Sequence, residues 1–179
     1  LKLCRFSGAR FIMSSVNSIL SQQNKILVKN RGYLTYDIAS IDIGVTSRPF
    51  QKVDFNSNSG SIKPLGEFVA RWNSYKSSII SNFTKPKIVV IGGGVGAVEI
   101  ALAMSFALSN LGIPDFSITV LDRSKVLSDV RLETRDFILS RMKDLGIKVL
   151  SNVKVLHCSK THISIEDDTK IESNFTVVA

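Results

Sequence analysis

Residues 87–97 constrain this chain more than any other stretch. A β-branched run, Lys87-Ile88-Val89-Val90-Ile91, passes into Gly92-Gly93-Gly94-Val95-Gly96-Ala97 and then into an apolar stretch in which Glu99 is the only charge as far as Leu108. A hydropathy window of that length would flag a membrane span. The glycines break it, and a carboxylate near the middle of a span is costly in lipid. A buried strand, a glycine turn and a buried helix account for all of these features.

The glycine spacing is GxGxxA, with Gly92, Gly94 and Ala97 at its three positions. The first glycine makes the tight strand-to-helix turn. The second lets the backbone approach a pyrophosphate, and the small third residue keeps the helix close to the sheet. The helix N-terminus then presents free N–H groups and partial positive charge to an anion. The strand before and the helix after supply the context in which such spacing means dinucleotide binding. A glycine-rich turn of purely structural purpose is the alternative. Gly92, Gly93, Gly94, Val95, Gly96 and Ala97 are therefore the candidate pyrophosphate site.

The rest of the second half has a regular rhythm. The glycine-loop helix runs over about 96–110, with Gly112 as its stop and Pro114 beyond. A strand is expected at 117–121, a helix at about 129–145 closed by Gly146, and a strand at 147–150. Short strands follow at 153–157, 161–165 and 170–172, and an apolar strand at 175–179. Strand, helix, strand, helix, strand implies parallel pairing with right-handed crossovers. The expected fold class is α/β, a Rossmann-like parallel sheet with a β-meander.

Asp122 closes the second strand, where this fold places an acid against the adenine-ribose hydroxyls. The interval from the glycines is longer than usual, and the loop 112–116 accounts for it. Asp122 could instead cap a turn, and Arg123 and Lys125 could instead hold a 2′-phosphate, so the preference for NADH over NADPH is slight. Glu99 reads equally as an acid placed near the positive helix end and as a contact near a nicotinamide. His157, Cys158 and His162 show no catalytic pattern, and Cys4 and Cys158 form no metal or disulfide framework, which points to a reducing compartment.

The first half is read more coarsely. A short helical piece precedes an apolar stretch over 11–20, a strand at 25–29 and a turn at 30–32. Residues 36–44 are expected as a buried strand ending in Gly44. The polar stretch 56–61 is expected as a loop. From Pro64, Leu65, Phe68, Val69, Trp72, Tyr75, Ile79, Ile80 and Phe83 recur at helical steps and predict one long apolar face, stopped by Lys85-Pro86. A net charge of +8 over 179 residues is scattered, with no basic run interleaved with aromatics, so a nucleic-acid interface is not expected. The chain opens Leu1-Lys2-Leu3 and closes on Val177-Val178-Ala179 in mid-strand, so it reads as a piece of a longer protein. No transmembrane segment is expected within it, and the lack of a targeting signal carries no information.

These residues together resemble a known family. A strand ending in Gly44, a Trp-bearing helix and then the glycine motif with Glu99 are similar to the pyridine nucleotide-disulfide oxidoreductases, flavoproteins with two dinucleotide-binding domains, in the branch related to type II NADH dehydrogenases. Within that branch, residues 36–46 and 63–72 look like the oxidoreductases associated with, or fused to, selenide, water dikinase. The resemblance implies a truncated flavoprotein: residues 1–63 as the later part of a first FAD-domain segment, 64–83 as a connector helix, and 84–179 as an NAD(P)H-binding domain cut at its C-terminus. It implies FAD, approached by the backbone at Gly44 and Thr46, although Ile41-Asp42-Ile43-Gly44 stands where the family has Ala-Thr-Gly. It implies NAD(P)H, held by the glycine motif with Glu99, Asp122 and Arg123. The implied activity is hydride transfer from NAD(P)H to FAD and on to a small-molecule acceptor, a quinone-like or a selenium or sulfur species. The segment alone is expected to be inactive. A non-catalytic nucleotide-binding or regulatory module is the other reading.

Overall fold

The computed structural model describes residues 2–43 and 58–179. Two compact units emerge, Leu1–Gly44 and Val45–Ala179. The first contains helix α1 (Lys2–Phe6) and an antiparallel sheet of β1 (Val16–Leu20), β2 (Lys25–Val28) and β3 (Gly32–Thr35), in that order. Asn24 and Asn30 take left-handed φ angles of 51° and 60° at its two connections. Asparagine tolerates that region better than most residues. Val28 is the only buried hydrophobic residue described in this unit.

The strand expected over 36–44 does not form across its described part. Residues 36–43 lie outside any ladder, and Ile38 and Ile43 are about nine-tenths exposed. An apolar pattern makes a strand only where a neighbouring edge accepts its N–H and C=O groups. Among the described residues, Tyr36 N–H finds one, on the Asn24 carbonyl at 3.0 Å.

The second unit is built on five parallel strands in the order β4-β11-β5-β6-β7. They are β4 (Ser59–Ser61), β5 (Lys87–Ile91), β6 (Ser117–Leu121), β7 (Lys148–Leu150) and β11 (Phe175–Val178). On one face Ile88, Val90, Ile118, Val120, Phe175 and Val177 pack against α2 (Leu65–Asn82), α3 (Val95–Asn110) and α4 (Leu132–Asp144). On the other, Val89, Ile91, Leu121 and Val178 pack against an antiparallel meander of β8 (Val155–Cys158), β9 (His162–Ile165) and β10 (Lys170–Glu172). Burial on both faces explains why β5 is apolar at consecutive positions rather than alternate ones.

Two expectations are corrected here. Ser59–Ser61, expected within a loop, is an edge strand bracketed by Thr176 N–H to the Asn58 carbonyl and Ile62 N–H to the Val178 carbonyl, each 2.9 Å. Its small residues fit beneath the Arg71 guanidinium of α2, which a Cβ at Gly60 would strike. The free edge of β11 thus overrides a weak strand propensity. Helix α2 buries only Phe68, Trp72, Tyr75 and Ile79 of its predicted face, leaving Leu65, Val69, Ile80 and Phe83 outside.

That buried row binds α2 to the sheet. Trp72 and Tyr75 pack in tilted contact with Phe175, with centroids 5.4 and 4.5 Å away. Tyr75 donates its hydroxyl to Asn174 Oδ1 at 2.5 Å, an oxygen that also accepts Lys87 N–H at 2.8 Å. Burial pushes the Tyr75 phenol pKa up, against a smaller opposing effect of the Lys87 backbone hydrogen bond. Among the described residues no helix is long and apolar enough to cross a membrane.

Candidate nucleotide site

The C-terminal edge of the parallel sheet carries the site. β5 ends at Ile91, and Gly92 turns the chain at φ +124°, a region essentially closed to side chains. Its N–H bonds the Leu121 carbonyl at 2.8 Å, while Ala179 N–H bonds the Ile91 carbonyl at 2.9 Å. A Cβ on Gly92 would stand 2.7 Å from the Ala179 carbonyl oxygen. The positive φ and the close approach of Ala179 therefore require glycine here.

Gly94 is the N-cap of α3, with φ −73° and ψ 174° and no side-chain cap. The first intrahelical bond runs from Val98 N–H to the Gly94 carbonyl at 3.2 Å. The N–H groups of Val95, Gly96 and Ala97 thus have no acceptor within the helix. A Cβ on Gly94 or Gly96 would meet nothing within 4 Å, so the space before this helix end is open. Ala97 faces inward and packs in the helical core.

Opposite the glycine turn lies the loop that follows β6. Gly93, Gly94, Val95, Asp122, Arg123, Ser124, Lys125 and residues 127–130 surround a cleft of about 230 Å³. Asp122 is pinned at its wall. Its N–H bonds the Leu150 carbonyl at 3.0 Å and its carbonyl accepts Val153 N–H at 2.8 Å. Asp122 Oδ1 accepts both the N–H and the hydroxyl of Ser124, at 2.7 and 2.6 Å. The turn-capping alternative for Asp122 is thus realised in the same geometry that places it on the cleft. Arg123 and Lys125 are exposed beside it, so carboxylate and cations share one wall.

The structure brings Gly93, Gly94, Val95, Asp122 and Arg123 to one cleft. Gly92, Gly96 and Ala97 support it without lining it. Glu99 lies exposed beyond the first turn of α3 and is not part of the lining. Gly44 and Thr46 lie outside the described residues.

Two contributors escaped the sequence reading. Ser124 carried a usable signal, because a residue two after an aspartate commonly closes a turn onto its carboxylate. Leu127 carried none: it is buried at φ +58°, and its N–H bonds the Gly93 carbonyl at 2.7 Å. That bond ties the loop to the glycine turn through a residue type rarely left-handed. A larger cavity, about 450 Å³, lies at the opposite edge of the sheet among Ile79, Phe83, Pro86, Leu111 and Pro114. Its only charged pair, Lys85 with Asp115 at 2.7 Å, is exposed. It has no convergent polar groups for chemistry. Among the described residues no group of three or more His, Cys, Asp or Glu could hold a metal ion.

Comparisons with known proteins agree with this architecture. Residues 10–179 match the family described as pyridine nucleotide-disulphide oxidoreductase. No curated protein sequence matches the chain. Among solved structures, NDH2 from Plasmodium falciparum in complex with NADH superposes with a TM-score of 0.76 at 16% identity, over 96% of this chain and 40% of that one. The sulfide:quinone oxidoreductase of Aquifex aeolicus gives 0.75 at 19% identity, over 98% of this chain and 43% of that one. The NAD-dependent persulfide reductase of A. fulgidus gives 0.73 at 17% identity, over 99% of this chain and 32% of that one. The chain thus spans less than half the length of each of these structures, and at such identities the likeness concerns the fold.

Proposed function

The chain belongs to the pyridine nucleotide-disulphide oxidoreductase family, and on that premise we propose that it is the pyridine-nucleotide-binding part of an FAD-dependent oxidoreductase. The supporting observation is the open, uncapped N-terminus of α3 behind Gly94, faced across a cleft by Asp122. The N–H groups of Val95, Gly96 and Ala97 suit a pyrophosphate. Gly94 lets it approach, and the Asp122 carboxylate suits a ribose diol. When bound, NAD(P)H supplies a hydride for FAD. The task of this chain's residues is to bind and orient the donor.

NADH is the favoured coenzyme, because a 2′-phosphate would face the Asp122 carboxylate. Arg123 and Lys125 reduce that preference. The acceptor is a quinone-like or a selenium or sulfur species. This reading rests on the similarity of residues 36–46 and 63–72 to oxidoreductases linked to selenide, water dikinase, which is accordingly the partner proposed. The neighbouring structures named for sulfide:quinone and persulfide chemistry are consistent with such acceptors.

The test is anaerobic addition of NADH, then NADPH, to the full-length protein carrying its flavin. Loss of the flavin's visible absorption on adding NADH, reversed by a quinone or a polysulfide, supports the reading. Retained flavin that neither coenzyme bleaches refutes it.

A further inference from the structure

We propose that Gly93 is a positioning residue that sets coenzyme selectivity by holding the Asp122 carboxylate at the cleft wall; the inference rests on reading this cleft as the pyridine-nucleotide site. Gly92 owes its identity to a positive φ, and Gly94 faces open space. Gly93 fits neither description. Its φ lies outside the left-handed range, so φ does not call for glycine there. What it needs is room. A Cβ at Gly93 would stand 2.7 Å from Asp122 Cβ, 2.9 Å from Cγ and 3.0 Å from Oδ2. Contacts that short are absent between real side chains.

Turning the Asp122 side chain alone cannot clear these contacts, because its Cβ stays where the backbone holds it. That backbone is fixed on both sides, through Leu150 and Val153 on the neighbouring chain segments. A side chain at Gly93 must therefore press Asp122 back against those two backbone hydrogen bonds as well as swing its carboxylate aside. That displacement breaks both hydrogen bonds that Oδ1 accepts from Ser124. It also removes negative charge from the wall shared with Arg123 and Lys125. The repulsion a 2′-phosphate meets there falls, with Asp129 the carboxylate that remains in the lining beside the two cations. Gly93 acts through Asp122.

The test is calorimetric titration of NADH and NADPH into the full-length protein, wild type, Gly93→Ala, Asp122→Gly and the double variant. The readout is the ratio of the two dissociation constants, which a merely structural role would not move. The wild type is expected to favour NADH by about tenfold and Gly93→Ala to bring the two within about threefold, a change of roughly one charge or hydrogen-bond mismatch. In the Asp122→Gly background no Cβ opposes the new methyl group, so adding Gly93→Ala should change the ratio no further. Equal weakening of both coenzymes by Gly93→Ala overturns the inference, as does an effect that persists without the Asp122 side chain. A ratio unmoved by Asp122→Gly itself instead removes the ribose reading on which the inference stands. Ser124→Ala, at an exposed position, covers the case in which Gly93→Ala does not fold. It should shift the ratio in the same direction but less, and an unchanged ratio overturns the inference.

Discussion

Gly92 and Gly94 sit two residues apart, and their substitutions should have opposite consequences. At Gly94 a side chain enters open space, with nothing within 4 Å of its Cβ and φ at −73°. The folding cost of Gly94→Val is that of a poor N-cap, about 1 kcal/mol. That lowers Tm by about 2–4 °C at roughly 150–250 residues. The same side chain occupies the path by which a pyrophosphate reaches the N–H groups of Val95, Gly96 and Ala97. Loss of two charge-assisted hydrogen bonds at about 1.5–3 kcal/mol each weakens NADH binding by roughly 10²–10⁴-fold. At Gly92 the balance reverses. A side chain there meets the Ala179 carbonyl at 2.7 Å while the backbone stays at φ +124°. Strain of this kind costs about 1–3 kcal/mol before the overlap is counted, so Gly92→Ala should lower Tm by on the order of 10 °C. Thermal unfolding and NADH calorimetry on the full-length variants read both effects. NADH affinity retained in Gly94→Val refutes the assignment of the phosphate site. A loss of stability in Gly94→Val equal to that of Gly92→Ala refutes the claim that the space before α3 is open.

Three further outcomes follow from the same geometry. Asp122→Ser should erase the NADH preference, a loss of about 1–2 kcal/mol in discrimination, and tighter NADPH binding by the wild type would move the recognition role to Arg123 and Lys125. Phe175→Ala removes the ring against which Trp72 and Tyr75 pack and should cost about 3–5 kcal/mol; Trp72 is the chain's sole tryptophan, so its emission should move to the red as α2 loosens, and an unshifted spectrum counts against that packing. The Tyr75 phenol has its folded pKa raised above the unfolded value of about 10, so its contribution is complete below that pH and lost as pH rises beyond it. Denaturant titrations should therefore show stability falling above about pH 10, with a smaller fall in Tyr75→Phe; equal falls in the two proteins contradict the burial argument.

Legibility followed the range of the interactions. The glycine turn, α3, α4 and strands β5 to β11 could be read because each is marked locally, by a β-branched run, a helical apolar period or a terminating glycine such as Gly112 or Gly146. Ser59–Ser61 could not be read, because nothing in Ser-Gly-Ser announces a strand; it forms because β11 has a free edge and Arg71 needs small residues beneath it. Residues 36–43 failed in the opposite sense, carrying a strand's pattern without a ladder to join.

The candidate site divides in the same way. The GxGxxA spacing and an acid at the end of β6 are properties of a short stretch of chain, so the glycine turn and Asp122 were visible in the residues alone. The contact of Gly93 with Asp122, the left-handed Leu127 bonded to the Gly93 carbonyl, and the placement of Glu99 outside the cleft lining depend on how β6 and its loop lie beside β5. Those are distances between residues about 30 positions apart, measured from Gly93 to Asp122 and Leu127. Local propensity is decided by a residue and its near neighbours, whereas a 2.7 Å approach across two parallel strands is decided by sheet register and packing. The sequence alone therefore determined that a glycine turn between strand and helix would form, and tertiary structure decided which side chains would stand around it.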